Sequence, residues 1–186
     1  MGRFLDLCTP DQLAPRLSDV SLDDLKSRGV EAMLLDLDNT MLPWQSLDVP
    51  QDTREWIEKA KGLDFKLCIV SNTHHPRRLR RIAEELGVAS IHGALKPRKR
   101  GFLRACEMLG VEPDKCAVIG DQVFTDILGG NLAGMRTVLV KPMARREFVG
   151  TKISRLFERI ILGMLRRRGR LGTNSQPTQS QKQDTK

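Results

Sequence analysis

Short apolar runs alternate with longer amphipathic stretches through the middle of the chain, and this alternation constrains the fold more than any other feature. Four strongly apolar runs have the length of a β-strand: AMLLDLD (32–38), KLCIVSN (66–72), CAVIGD (116–121) and TVLV (137–140). A weaker run, VASIHG (88–93), completes the set. Strand-length runs separated by helix-length stretches are typical of parallel strands joined by crossover helices.

The stretches between the runs predict the helices. Candidate helices cover 53–61, 76–86, 98–109 and 125–133, and each is followed directly by a glycine. Glycine is common after a helix because it adopts the left-handed conformation that ends many helices. The 186 residues are enough for one ordinary domain with a core. We therefore predict an α/β, Rossmann-like fold with a parallel five-stranded sheet and helices on both faces.

Composition divides the chain further. We predict an N-terminal extension (1–30), a core (31–142), a basic amphipathic helical segment (143–170) and a disordered tail (171–186). The final stretch, NSQPTQSQKQDTK, has no large apolar side chain, so it cannot offset the entropy cost of ordering. The net charge of +8 is concentrated in two places. Residues 141–170 carry ten Lys and Arg against two Glu, and residues 74–104 carry nine against two.

Targeting signals and cysteine spacing indicate the cellular compartment of the protein. No stretch approaches the roughly 20 apolar residues of a membrane-spanning helix, and the N-terminus lacks a secretory signal pattern. The four cysteines are widely spaced without a Cys-x-x-Cys pair, which favours buried reduced thiols over zinc or disulfides. We expect a cytoplasmic protein. The basic segments are also compatible with peripheral attachment to the inner face of the membrane.

Polar residues follow the predicted strands at their carboxyl ends. In a parallel sheet these ends meet at one edge, where ligands bind in a crevice. The residues at these ends are, in chain order, Asp36, Asp38 and Asn39, Ser71 and Asn72, Lys96, and Gly120 with Asp121. Three acids, a hydroxyl and a lysine are therefore expected to converge. Each small group alone is also compatible with an ordinary turn or helix cap.

These residue types fit phosphate monoester hydrolysis. Asp36 can attack phosphorus to form an aspartyl phosphate. Asp38, two residues later, can protonate the leaving oxygen and then activate water. We count Ser71 and Lys96 as catalytic too, because a hydroxyl and a point charge suit a phosphate. Asn39, Ser71, Asn72 and Lys96 form the predicted phosphate-binding set.

Carboxylates in the same group can bind a metal ion. Magnesium prefers oxygen ligands and would neutralise charge on Asp36 and on the phosphoryl group. Asp121 is the natural second ligand. Asp126 is predicted as a ligand or an outer acid, and it is also compatible with an ordinary acid in the first turn of a helix.

Four ordered motifs carry a family resemblance. DLDNT, SNT, the lysine of ALKP and GDQVFTD resemble the motifs of the haloacid dehalogenase (HAD) superfamily in its phosphatase branch, over about 110 residues. The resemblance implies the HAD fold, a Mg²⁺ cofactor and the roles already given. It also implies that Asp38 contributes its backbone carbonyl to the metal, so the predicted ligands are Asp36, Asp38, Asp121 and Asp126.

The spacing of the motifs leaves no room for a cap domain. About 32 residues separate Asp38 from Ser71 and about 24 separate Ser71 from Lys96, most of which the scaffold needs. An uncovered site suits a large substrate, or a small one that a neighbouring subunit covers.

The sequences before the first predicted strand and after the last one resemble a single family within the superfamily. CTPDQLAPRLSDV (8–20) and KPMARREFVGTKISRLFER (141–159) resemble the YqeG family of subfamily IIIA, which is similar to the mitochondrial phosphatidylglycerophosphate phosphatase. This resemblance implies a lipid head group as substrate. Residues Arg77, Arg78, Arg80 and Arg81 are then candidate membrane contacts. The alternatives are a phosphatase for a nucleotide, sugar, protein or nucleic-acid end, and a non-catalytic module that binds RNA, the ribosome or a GTPase.

The basic segment 151–170 has apolar residues at helical spacing and arginines on the opposite face. Its apolar stripe is compatible with packing on the sheet, with a partner groove, or with an anionic membrane surface. Nucleic acid is a less favoured partner because no aromatic residues are interleaved with the arginines of 166–170, and the whole chain has no Tyr and only two Trp.

Overall fold

The computed structural model describes residues 2–143, which form a six-stranded sheet with all strand pairs parallel. The strands are β1 (Gln12–Ala14), β2 (Ala32–Leu35), β3 (Lys66–Val70), β4 (Ala89–Ile91), β5 (Cys116–Gly120) and β6 (Arg136–Val140). Their order across the sheet is β1-β6-β5-β2-β3-β4. Every predicted run contains a strand, and the polar residues that end the runs lie in the loops that follow.

One helix precedes the first strand, and the others lie between consecutive strands. The helices are α1 (Gly2–Leu7), α2 (Leu22–Ser27), α3 (Gln51–Gly62), α4 (Pro76–Leu86), α5 (Lys99–Leu109) and α6 (Leu128–Leu132), and a π-helix (Val123–Ile127) leads directly into α6. The four predicted helices are present as α3, α4, α5 and the π-helix with α6. The short helices α1 and α2 were not predicted, because six residues are too few to show a helical period.

Side chains of β2 alternate between two cores. Met33 and Leu35 pack in a cluster that includes the buried faces of α3 and α4. Ala32 and Leu34 pack on the other side, in a cluster that includes Phe102 of α5. Because both faces of β2 are covered, the strand is apolar throughout. The predicted α/β architecture with helices on both faces is confirmed.

The sheet has six strands where five were predicted. The additional strand, β1, pairs with β6 at the edge of the sheet. It contains only three residues, and Leu13 in its middle is largely exposed. Such a segment has neither the length nor the alternation that marks a strand in a sequence. Its place beside β6 is set by partners distant in the chain, including the Asp11 carboxylate, which accepts a hydrogen bond from the Thr137 N–H (2.7 Å).

The chain reverses direction across the sheet at β2. It passes from β2 to β3 and β4 on one side, and then returns to β5 and β6 on the other. The carboxyl ends of β2 and β5 therefore border the switch point, where open α/β sheets bind ligands. A loop (36–50) and α3 connect β2 to β3, and the buried face of α3 packs in the core, so no cap domain is inserted there.

Within residues 2–143, no helix is long and apolar enough to cross a membrane. All four cysteines lie in this range and are buried, as predicted. The predicted basic segment beyond Met143 and the predicted tail at 171–186 lie outside the described residues. The division of the chain into these segments stays a prediction.

Candidate active site

Asp36 comes directly after β2, at the switch point. Its backbone N–H donates a hydrogen bond to the carbonyl of Ile119 in β5 (2.9 Å), so pairing between the strands continues one residue beyond β2. This pairing fixes the backbone from which the Asp36 side chain extends. Asp36 is only 8% exposed, and its carboxylate therefore needs a partner.

Lys96 is that partner. Its Nζ lies 2.5 Å from Oδ1 of Asp36 and 2.6 Å from Oδ1 of Asp126, and all three residues are buried. Burial raises the pKa of Asp36 to about 6, although the Lys96 ammonium acts in the opposite direction. Burial also lowers the pKa of Lys96, but the carboxylates of Asp126 and Asp36 outweigh it and raise that pKa above its ordinary value. Lys96 is therefore a permanent positive charge between two acids.

Asp126 is held by the π-helix after β5. A β-carbon at Gly120 would overlap the Asp126 carboxyl group, so only glycine lets this side chain fold back against the end of the strand. Oδ2 of Asp126 accepts a hydrogen bond from the Gln122 N–H (3.1 Å). Both carboxylate oxygens of Asp126 thus accept hydrogen bonds from within the protein.

Three buried carboxylates form a candidate metal centre. One oxygen from each of Asp36, Asp121 and Asp126 lies within 4.8 Å of the other two. Carboxylate oxygens are ligands that magnesium prefers. The donor set therefore fits a Mg²⁺ ion. Asp36, Asp121 and Asp126 are three of the four predicted metal ligands, and their role as ligands stays a prediction.

Asp38 lies at the rim of this cluster and is held by Arg78 of α4. The Arg78 guanidinium places Nη2 2.9 Å from Oδ1 of Asp38 and Nη1 3.1 Å from Oδ2. Its Nε also donates to the carbonyl of Ser46 (2.9 Å), and the Gln45 N–H donates to Oδ1 of Asp38 (3.1 Å). Arg78 thus ties the loop after β2 to α4. No sequence pattern indicated this pairing, since 40 residues separate the two side chains.

Asn72 lies beside Lys96 but contacts its backbone. Its Nδ2 donates to the Lys96 carbonyl (3.1 Å), and its Oδ1 accepts from the Lys96 N–H (2.8 Å). Asn72 was predicted to contact phosphate; in the structure its amide is engaged in holding the lysine loop. Ser71 is buried, and its hydroxyl accepts a hydrogen bond from the Thr73 N–H (3.1 Å), which leaves the hydroxyl proton for another acceptor.

Asn39 and Thr40 complete the loop after β2. Asn39 adopts a left-handed backbone conformation (φ 66°), which asparagine tolerates better than most residues. Its Oδ1 and the Thr40 hydroxyl are buried without a hydrogen-bond partner among residues 2–143. Buried polar atoms normally have partners, so a bound ligand or water would complete this loop.

Comparisons with known proteins identify relatives of this chain. A family model for haloacid dehalogenase-like hydrolases matches residues 11–134. The chain is 37% identical over 162 residues to the probable phosphatase YqeG of Bacillus subtilis, covering 87% of this chain and 94% of that protein. It is 28% identical over 142 residues to phosphatidylglycerophosphate phosphatase 1 of Arabidopsis thaliana, covering 71% of this chain and 41% of that protein.

A solved structure also shares the fold. The cobalt-bound deoxy-D-mannose-octulosonate 8-phosphate phosphatase of Haemophilus influenzae superposes with a TM-score of 0.50 at 16% identity, covering 77% of this chain and 92% of that one. At this identity the likeness concerns the fold alone.

Proposed function

Because the chain belongs to the haloacid dehalogenase-like hydrolases and is a phosphatase, we propose that it hydrolyses phosphatidylglycerophosphate through an aspartyl phosphate, with Mg²⁺ as cofactor. The observation that carries the reaction type is the buried Asp36 carboxylate, held by Lys96 at the switch point beside Asp121 and Asp126. In this proposal Asp36 is the nucleophile, Lys96 supplies a fixed positive charge, and the neighbouring carboxylates are metal ligands.

The reaction has two steps. In the first, an Asp36 oxygen attacks phosphorus, the bond to the leaving oxygen breaks, and Asp38 gives that oxygen a proton. In the second, Asp38 takes a proton from water, which attacks phosphorus and releases inorganic phosphate from Asp36. Lys96 and the Ser71 hydroxyl stabilise the phosphoryl oxygens by charge and by hydrogen bonding. Asn39 and Asn72 shape the loops that carry Asp38 and Lys96.

The magnesium ligands in this proposal are the carboxylates of Asp36 and Asp121 and the backbone carbonyl of Asp38. When bound, the ion supplies positive charge that offsets the charge of the nucleophile and the phosphoryl group. Asp126 is the fourth predicted ligand. Because both of its oxygens accept hydrogen bonds from Lys96 and Gln122, we assign it the task of holding Lys96 and orienting the metal site.

Two observations support a lipid substrate. One is the similarity to the Arabidopsis phosphatidylglycerophosphate phosphatase. The other is a set of exposed apolar side chains in the loops at the carboxyl edge of the sheet: Trp44 and Leu47 after β2, and Leu95 directly before Lys96. Leu95 is 62% exposed, more than any other large apolar side chain among the described residues. Apolar groups beside the reacting centre suit a substrate presented at a lipid surface.

A panel of phosphate-release assays tests this function. Purified full-length protein is supplied with phosphatidylglycerophosphate in mixed micelles, and in parallel with glycerol 3-phosphate, a nucleoside monophosphate, a sugar phosphate and a phosphopeptide, each with Mg²⁺ or with EDTA. We expect the lipid to give the highest kcat/KM and EDTA to abolish release. A soluble ester preferred over the lipid would overturn the lipid assignment. Binding without turnover on every member would instead favour the interaction module.

The basic segment 151–170 is proposed to hold the enzyme on an anionic surface, on the strength of its sequence pattern. Replacing Arg166, Arg167 and Arg168 by Gln in the full chain tests this. We expect weaker co-sedimentation with vesicles of phosphatidylglycerol and phosphatidylcholine, since each basic residue contributes about 1 kcal/mol near such a surface. Equal sedimentation of the variant and the parent chain would exclude a membrane contact by these arginines.

A further inference from the structure

A cavity of about 620 Å³ opens between the loop after β2 and the start of α4. The loop contributes Gln45 and Leu47, and the segment from His74 to Arg78 forms the opposite side. This volume is within the range of roughly 300–1,000 Å³ that is typical of small-molecule sites. The cavity is therefore large enough for the polar part of a substrate.

The cavity borders the proposed proton donor. Arg78 lines it and also pairs with the carboxylate of Asp38. A general acid must lie within hydrogen-bond reach of the leaving oxygen, so the part of the substrate beyond that oxygen has to pass close to Asp38. The cavity beside Arg78 is thus where the leaving group of the reaction would lie.

The lining is cationic and has no acid in it. Arg78 is compensated by Asp38, but the side chains of Arg77, His74 and His75 have no hydrogen-bond or ion-pair partner among the described residues. Arginine binds phosphate oxygens through paired N–H groups, and imidazole N–H groups add further donors. Leu47 provides an apolar wall. A partner for this surface needs negative charge.

We propose that this cavity is a leaving-group subsite that binds a second anionic group of the substrate, a phosphodiester or phosphate joined to the scissile phosphate through a short polyol, with Arg77 as its main contact. The inference rests on the proposed phosphatase reaction and assigns the residues that recognise the leaving group of its substrate. A second anion would be carried either by a lipid head group or by a free bisphosphate, and the subsite chemistry is the same for both.

The test compares three substrates in the full-length protein with Mg²⁺. p-Nitrophenyl phosphate has no second anion. Dihexanoyl phosphatidylglycerophosphate, used below its micelle concentration, carries a phosphodiester on a lipid, and its deacylated head group carries the same phosphodiester without acyl chains. The readout is the ratio of kcat/KM for each two-anion substrate to that for p-nitrophenyl phosphate.

We expect Arg77→Ala to lower this ratio roughly fivefold to tenfold, the size of one lost charge-assisted contact at a partly exposed position. Arg77→Lys should recover most of the ratio because it keeps the charge. Arg104→Ala is the matched control: it removes the same charge from an exposed position on α5, on the other face of the sheet, and should leave the ratio unchanged.

The outcomes separate the subsite from the proposed function. A fall in the ratio for both two-anion substrates supports recognition of the anion itself, and a fall for the dihexanoyl lipid alone assigns the anion to a lipid. An unchanged ratio in Arg77→Ala overturns the subsite, even if the parent chain hydrolyses the lipid. The unmodified protein could fail to hydrolyse the lipid and still hydrolyse the head group in a way that depends on Arg77. That result would support the subsite and overturn the lipid substrate.

Discussion

Two neighbouring regions of the same sheet edge differ in how their charges are compensated. In the cluster of Asp36, Lys96 and Asp126, the lysine is buried between two acids that it contacts at 2.5 and 2.6 Å. In the cavity beside it, Arg77 and the histidines are exposed and have no partner among residues 2–143. Arg78 lies between the two regions, because it lines the cavity and pairs with Asp38 in the loop that also carries Asp36.

This difference indicates that the cluster and the cavity have different roles in the proposed reaction. Groups that act on the phosphoryl group meet the same charge in every substrate, so their positions can be fixed in advance by burial and mutual contacts. For groups that recognise the rest of the substrate, the charge is compensated only when the correct substrate binds. Substitutions in the cluster should therefore affect all substrates alike, whereas substitutions in the cavity should change their ranking.

Asp36→Asn should have the largest effect. Without a nucleophilic oxygen the covalent step cannot occur, and we expect a loss of roughly 10⁴-fold or more in kcat on every substrate. Phosphate release measures this, with Asp114→Asn as a control that removes an exposed aspartate far from the cluster. Turnover retained by purified Asp36→Asn would remove this residue as the nucleophile.

Lys96→Met should affect both activity and stability. It leaves two buried carboxylates without their shared cation, which typically costs about 3–5 kcal/mol in the free energy of unfolding. It also removes a positive charge from the proposed phosphoryl site, and we expect kcat to fall roughly 10²-fold or more. Urea denaturation of the metal-free chain measures the free energy of unfolding, and phosphate release measures kcat. Unchanged stability would show that Lys96 does not compensate these acids.

Gly120→Ala probes the packing behind the cluster. The added β-carbon meets the Asp126 carboxyl group, and overpacking of this kind costs about 1–3 kcal/mol. Gly62→Ala is the matched control, since it lies in α3 with open space around its Cα and should be neutral or stabilising. Equal free energies of unfolding for the two variants would mean that Asp126 moves away from Gly120 without cost.

Arg78→Ala tests the residue that lines the cavity and also pairs with Asp38. It removes the contacts to Asp38 and to the Ser46 carbonyl, so the loop after β2 loses its tie to α4. We expect kcat/KM to fall about tenfold, the size of one or two charge-assisted hydrogen bonds, and to fall equally for p-nitrophenyl phosphate and for two-anion substrates. A loss confined to two-anion substrates would place Arg78 in the subsite instead of in the support of Asp38.

The fold and the cluster were largely predictable, because each depends on local patterns. Apolar runs mark the strands, and the topology of a parallel sheet brings the residues after them, such as Asp36 and Asp121, to one edge. The pairing of Arg78 with Asp38 and of Asn72 with the Lys96 backbone was not predictable. These contacts join residues 40 and 24 positions apart through loop conformations that carry no periodic signal. Strand β1 was missed for a related reason, since a three-residue edge strand depends on its partner.

The position of Lys96 between two acids also determines how the proposed magnesium site would behave when a chelator removes the ion. Carboxylates gathered around an ion repel one another once it leaves, and a centre held together by the ion alone would then open. Here the ammonium stays in place and continues to attract Asp36 and Asp126. Inactivation by a chelator should therefore be reversed as fast as magnesium is returned, with no slow recovery phase.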